Sequence, residues 1–192
     1  MNALADPSQH LAWLGSRSLG IVAMLLVSAS VGFGFAMSGR LGARPGAAAR
    51  FKTLHEALAL GALAAIAGHG LLLLADPYLS PGLAGITLPF ALPGQPIWTG
   101  LGIIAGWLTA LVTLSFYVRR RIGTGVWRSL HRWTVVAFAL SIVHTLGSGT
   151  DSGSTWLLVL LAIAIAPAVS LGVVRLIPSR PGRPHPVPRA VR

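Results

Sequence analysis

Five stretches of this chain are apolar over enough residues to cross a bilayer, and nothing else in the sequence restricts the fold as much. They run from Leu19 to Met37, Leu54 to Leu74, Thr99 to Val118, Leu130 to Leu146 and Thr155 to Ile177. Most match the roughly 17–25 residues that a hydrocarbon layer of about 30 Å requires. The 192 residues are 54% hydrophobic and 10% charged, with a mean hydropathy of +0.73, which argues against a soluble helical bundle. The expected fold class is all-α, a polytopic transmembrane helical bundle with five predicted spans. The fourth stretch is the weakest, because it contains two histidines and several small polar residues. A place inside the bundle suits it better than a lipid-facing one.

The net charge of +11 would suit a nucleic-acid partner if the charges shared one surface. Their distribution points elsewhere. Arg40, Arg44, Arg50 and Lys52 fall between spans one and two, and Arg119, Arg120, Arg121, Arg128 and Arg132 around the third connection. Arg175, Arg180, Arg183, Arg189 and Arg192 follow at the end of span five and in the tail. The other two connections, Ala75 to Trp98 and Gly147 to Ser154, contain no Arg or Lys, only Asp76 and Asp151. Basic residues therefore alternate loop by loop, the positive-inside pattern. It implies an integral plasma (inner) membrane protein with the N-terminus outside and the C-terminus cytoplasmic. The lipid bilayer is then the partner of many of these cations, through its anionic headgroups, and no nucleic acid is needed. Three regions follow: an external N-terminal segment, 1–18, expected along the outer interface; a membrane domain, 19–177; and an Arg/Pro-rich disordered cytoplasmic tail, 178–192. The first eighteen residues lack the layout of a secretory signal. There is no cysteine, so neither a disulfide nor a thiolate ligand is available.

Imidazoles are rare inside hydrocarbon and usually functional there. Span two carries His55 and His69, 14 residues apart; span four carries His131 and His144, 13 apart. At about 1.5 Å per residue, each spacing separates its two rings by roughly 20 Å along the helix. One span intervenes, so the two helices run in the same direction. His55 and His131 share the inner depth; His69 and His144 share the outer depth. Two such pairs could hold two b-type haems stacked across the bilayer, each iron gripped from opposite faces. The angular phase agrees on span two, where fourteen steps of about 100° end some 40° short of whole turns. On span four the shortfall is about 140°, so a local change of winding or a bend is needed. Gly61, Gly68 and Gly70, with Ala57, Ala62, Ala64, Ala65, Ala137 and Ala139, either leave room for flat rings or serve ordinary small-residue packing.

The segments Lys52-Thr-Leu-His55 with His69, and Leu130-His131-Arg132 with His144, resemble the ferric-reductase-like transmembrane domain family. That family includes the membrane cores of ferric-chelate reductases and NADPH oxidases and the haem subunit of the periplasmic methionine sulfoxide reductase system. The likeness covers roughly Leu14 to Ile177, with the family's first span absent. It implies a 14-residue and a 13-residue pair of haem ligands: His55, His69, His131 and His144. It also implies a flavin or quinone reached only through a donor, meaning a separate reductase protein or the quinone pool. The external electron acceptor would be a ferric chelate, oxygen or a partner protein. No glycine-rich strand-to-helix nucleotide fingerprint occurs, so the expectation is an oxidoreductase subunit without its own flavin or nicotinamide domain. The alternatives are a quinol-linked cytochrome b subunit of another oxidoreductase and a haem-free transporter or assembly factor whose histidines carry protons or metal.

Other residues have narrower expectations. Arg17, at the outer entrance of span one, either pairs with an outer-haem propionate or anchors at the interface. Arg128 and Arg132 are candidates for inner propionates. Glu56 follows His55 but points about 100° away, a poor position for orienting it. Trp107 either packs against a macrocycle or fills the core. Asp76 and Asp151, both just outside the membrane, leave open a shared acceptor or metal site. His10 and His185 are expected to be surface imidazoles.

Overall fold

The computed structural model describes residues 10–38, 46–149 and 151–176. Arg40, Arg44, His185 and the expected tail 178–192 lie outside the described residues, as do residues 1–9, the first half of the expected N-terminal segment. Seven helices are described: α1 (Leu11–Ser38), α2 (Ala47–Leu74), α3 (Gly82–Thr87), α4 (Pro96–Ile122), α5 (Thr124–His131), α6 (Thr134–Ser148) and α7 (Thr155–Leu176). The fold is all-α. Four helices, α1, α2, α4 and α7, are long and apolar enough to cross a membrane. Leu71, Trp107, Leu111, Ile163 and Val174 stand exposed along them, a surface suited to lipid rather than water. The chain is an integral membrane protein.

Residues 11–18 form the opening turns of α1, continuous with the span that follows. The predicted fourth span does not form one helix. Its backbone tightens at Arg132 and Trp133, where Trp133 N–H bonds to Leu130 O (2.9 Å) and Val135 N–H to Arg132 O (3.4 Å). These i→i+3 bonds wind the chain more tightly than an α-helix does, and the α pattern resumes with Ala137 N–H on Trp133 O. α6 alone, at 15 residues, is only about 22 Å long. By length and apolarity four of the described helices qualify as spans, and the expected fourth stretch, divided between α5 and α6, is not among them.

The directions of the helices follow from their contacts. α1 and α2 are antiparallel, with Ser16 beside His69 and Ser30 beside His55. α2 and α4 are antiparallel too, since Ile66 meets Gly106 and Glu56 meets Tyr117. α4 packs extensively against α6. α1 and α7 run parallel: Gly32 faces Ala168 and Phe35 faces Gly172. α1 is the central helix, with the most buried apolar stretch. Met24, Val27 and Val31 of α1 pack with Ala62, Phe138, Leu157, Leu161 and Ala168 in the core. Gly123 (φ 86°, ψ 145°) takes a conformation open almost only to glycine, which lets the chain turn sharply between α4 and α5. The connection before α4 folds back along it, so that Trp107 donates its indole N–H to Thr87 O (2.9 Å).

Candidate functional site: two histidine pairs

The structure brings His55 together with His131 and His69 together with His144. The ring centres are 5.9 Å apart in the first pair and 6.3 Å in the second. The rings are steeply inclined, at 84° and 69°. Metal–nitrogen bonds of about 2 Å on each side place the centres of two opposed imidazole ligands about 6 Å apart. Both pairs meet that distance. The break at Arg132–Trp133 lies between His131 and His144, so the phase of one no longer dictates the phase of the other.

Three of the four rings are anchored alike. His69 Nδ1 is 2.8 Å from the Ser16 carbonyl oxygen and 3.0 Å from Ser16 Oγ. His55 Nδ1 stands at the same 2.8 Å and 3.0 Å from the carbonyl and hydroxyl oxygens of Ser30. His144 Nδ1 is 2.9 Å from the Trp98 carbonyl oxygen. Each carbonyl accepts the Nδ1–H, which fixes the tautomer and leaves the Nε2 lone pair unused. Each serine also donates its hydroxyl to the carbonyl of the histidine it faces, Ser16 to His69 (2.8 Å) and Ser30 to His55 (3.2 Å).

A glycine stands four residues after each accepting carbonyl: Gly20 after Ser16, Gly34 after Ser30 and Gly102 after Trp98. A Cβ there would come within 3.1, 3.5 and 2.5 Å, respectively, of the anchored ring. At Gly20 and Gly102 the room for the imidazole is therefore made on the facing helix, whereas a Cβ at Gly34 would make only ordinary van der Waals contact. Gly61 and Gly68, by contrast, take the side chains of Leu26 and Leu19, and Gly70 has nothing within 4 Å. Those three serve helix packing or open space. Ser16 and Ser30 were not singled out from the sequence, although their 14-residue spacing repeats that of His55 and His69.

His131 differs. Among the described residues nothing hydrogen-bonds its ring nitrogens, and it stacks on Trp127 instead (5.2 Å, 28°). A cavity of about 300 Å³ adjoins the inner pair, lined among others by Ser30, Lys52, His55, Trp127, His131 and Ala137. Its walls are mainly apolar.

The arginines lie away from this cavity wall. Arg128 and Arg132 are exposed, and Arg132 donates to Ser129 Oγ (3.0 Å). Lys52 is the cation on the wall. Arg17 forms an ion pair with Asp151 and lies 5.3 Å over the Trp13 ring. Asp76 is buried, and its Oδ1 accepts the Tyr78 N–H (2.9 Å). Glu56 turns to Tyr117, whose hydroxyl donates to it (3.1 Å). Trp107 is 58% exposed, facing neither the core nor a histidine pair. His10 stacks on Tyr78. Among the described residues no three His, Asp or Glu side chains converge as a protein-only metal centre requires. A porphyrin supplies four in-plane nitrogens of its own, so two imidazoles complete its iron. No family model, no curated protein and no solved structure matches this chain.

Proposed function

We infer that this protein carries single electrons across the membrane through two bis-histidine b-type haems. His55 and His131 would hold one at the inner level, and His69 and His144 the other at the outer level. The observation that carries the reading is the repeated pair: two imidazoles about 6 Å apart, twice, with Nδ1 anchored and Nε2 unused in His55, His69 and His144. A haem held by two of these imidazoles would supply one-electron redox chemistry rather than a substrate-binding iron site. The chain's part is to fix the ligands, exclude water with apolar walls and keep the two levels apart.

Five crossings are favoured over four by direction. α1 and α7 run parallel, which requires an odd number of passes, and α5 with α6 traverses the same two histidine levels as α2. The Arg and Lys clusters then mark the cytoplasmic side, where the donor, a separate reductase or a quinol, would deliver electrons. The acceptor, a ferric chelate or a partner protein, belongs outside. On this reading the chain is an electron-transfer subunit of ferric-reductase type.

Purified protein should contain two b-type haems per chain, with low-spin spectra that sharpen on reduction. Colourless protein, or one haem per chain, overturns the reading.

A further inference from the structure

Trp127 combines two features found at none of the other histidine anchors. It stands four residues before His131, one helical turn away on α5, and its ring stacks on the imidazole at a tilt of 28°. Its indole Nε1 is buried and, among the described residues, has no hydrogen-bond partner. A buried donor left unpaired is costly, and here it belongs to a residue that lines the inner cavity. Where α1 offers His55 a carbonyl and a glycine, no carbonyl among the described residues accepts from the His131 ring, and α4 contributes Val112, Thr113 and Phe116 to the cavity wall. Phe116 braces Trp127 edge-on at 6.0 Å, and the Arg119 guanidinium covers Phe116 at 3.8 Å. The indole is thus in ring contact with both Phe116 and His131.

Resting on the di-haem reading, we propose that Trp127 is the positioning residue of the inner site. Its face orients His131 in place of a backbone carbonyl. Its N–H donates to a carboxylate carried by the group held between His55 and His131, such as a porphyrin propionate. The choice of a carboxylate over a neutral oxygen follows from Lys52, a cationic residue that lines the same cavity. Glu56, the acidic residue on that wall, is engaged by Tyr117 and does not compete for the indole.

Trp127→Phe keeps an aromatic face and removes the donor; Trp127→Leu removes both. The full-length variants would be compared with wild type by haem per chain, by electron paramagnetic resonance of each low-spin ferric signal and by potentiometric titration. His131→Ala identifies the inner signal. Trp127→Phe should retain two haems and shift the midpoint of the inner one alone. Trp127→Leu should convert the inner low-spin signal to high spin or lose it, bringing haem per chain toward one, with the outer signal unchanged. Wild-type inner signals in both variants would overturn the proposal, as would equal damage to the outer signal. Wild-type protein without haem would refute the di-haem reading itself, before either variant is compared.

Discussion

The carbonyl oxygen of Trp98 and Nδ1 of His144 lie 2.9 Å apart, a hydrogen bond that ties the start of α4 to a ring 46 residues along the chain. Gly102 makes the approach feasible, because a methyl group there would fall 2.5 Å from the same nitrogen. Gly102→Ala should therefore push His144 off its anchor, at about 1–3 kcal/mol for overpacking. Haem content per chain should fall toward one while the inner signal stays. Gly70→Ala, with nothing within 4 Å, should leave both sites intact and serves as the control.

The pairing by level predicts which substitutions have the same effect. His55→Ala and His131→Ala should abolish one and the same low-spin signal, and the double variant should look like either single one. His69→Ala and His144→Ala should both abolish the other signal. A His55→Ala spectrum that matches His69→Ala instead would contradict the geometry of the two pairs.

Ser30 and Ser16 each contribute a hydroxyl to an anchor whose principal acceptor is a backbone carbonyl. Replacing either by alanine removes the hydroxyl and spares the carbonyl. The expected cost is about 1 kcal/mol of stability per variant, since a single hydrogen bond contributes about that much net. Thermal unfolding in detergent should register the loss, with two haems per chain retained.

Arg17 can be assigned by a double-mutant cycle. If its partner is Asp151, as the ion pair indicates, Arg17→Ala and Asp151→Asn should each cost at most about 1 kcal/mol. Their effects should be non-additive and should shrink in high salt, because both side chains are partly exposed. Neither change should shift the outer midpoint. A shift with Arg17→Ala alone would return this residue to a propionate-binding role.

Depth along the helices was legible from residue counts, because rise per residue is nearly constant. His55 could therefore be matched with His131, and His69 with His144, before any coordinates. The continuity of span four was not legible. Leu130 to Leu146 is uninterrupted by Pro, and the tightened turn at Arg132–Trp133 carries no local breaker signal. The role of the glycines was left open between clearance for a flat ring and helix packing, for a related reason. Clearance beside a ring is decided by the helix across from it, at Gly20 and Gly102, rather than by the Gly68 and Gly70 that flank His69. The serines show the opposite case. Their spacing was plain in the sequence, but only the antiparallel register of α1 on α2 gives it meaning.

Each pair draws one imidazole from α2 and one from the α5–α6 segment, so both levels are divided between the same two parts of the chain. A nascent chain that has inserted only α1 and α2 displays two braced half-sites and no complete one. Both become whole together, when the later hairpin arrives.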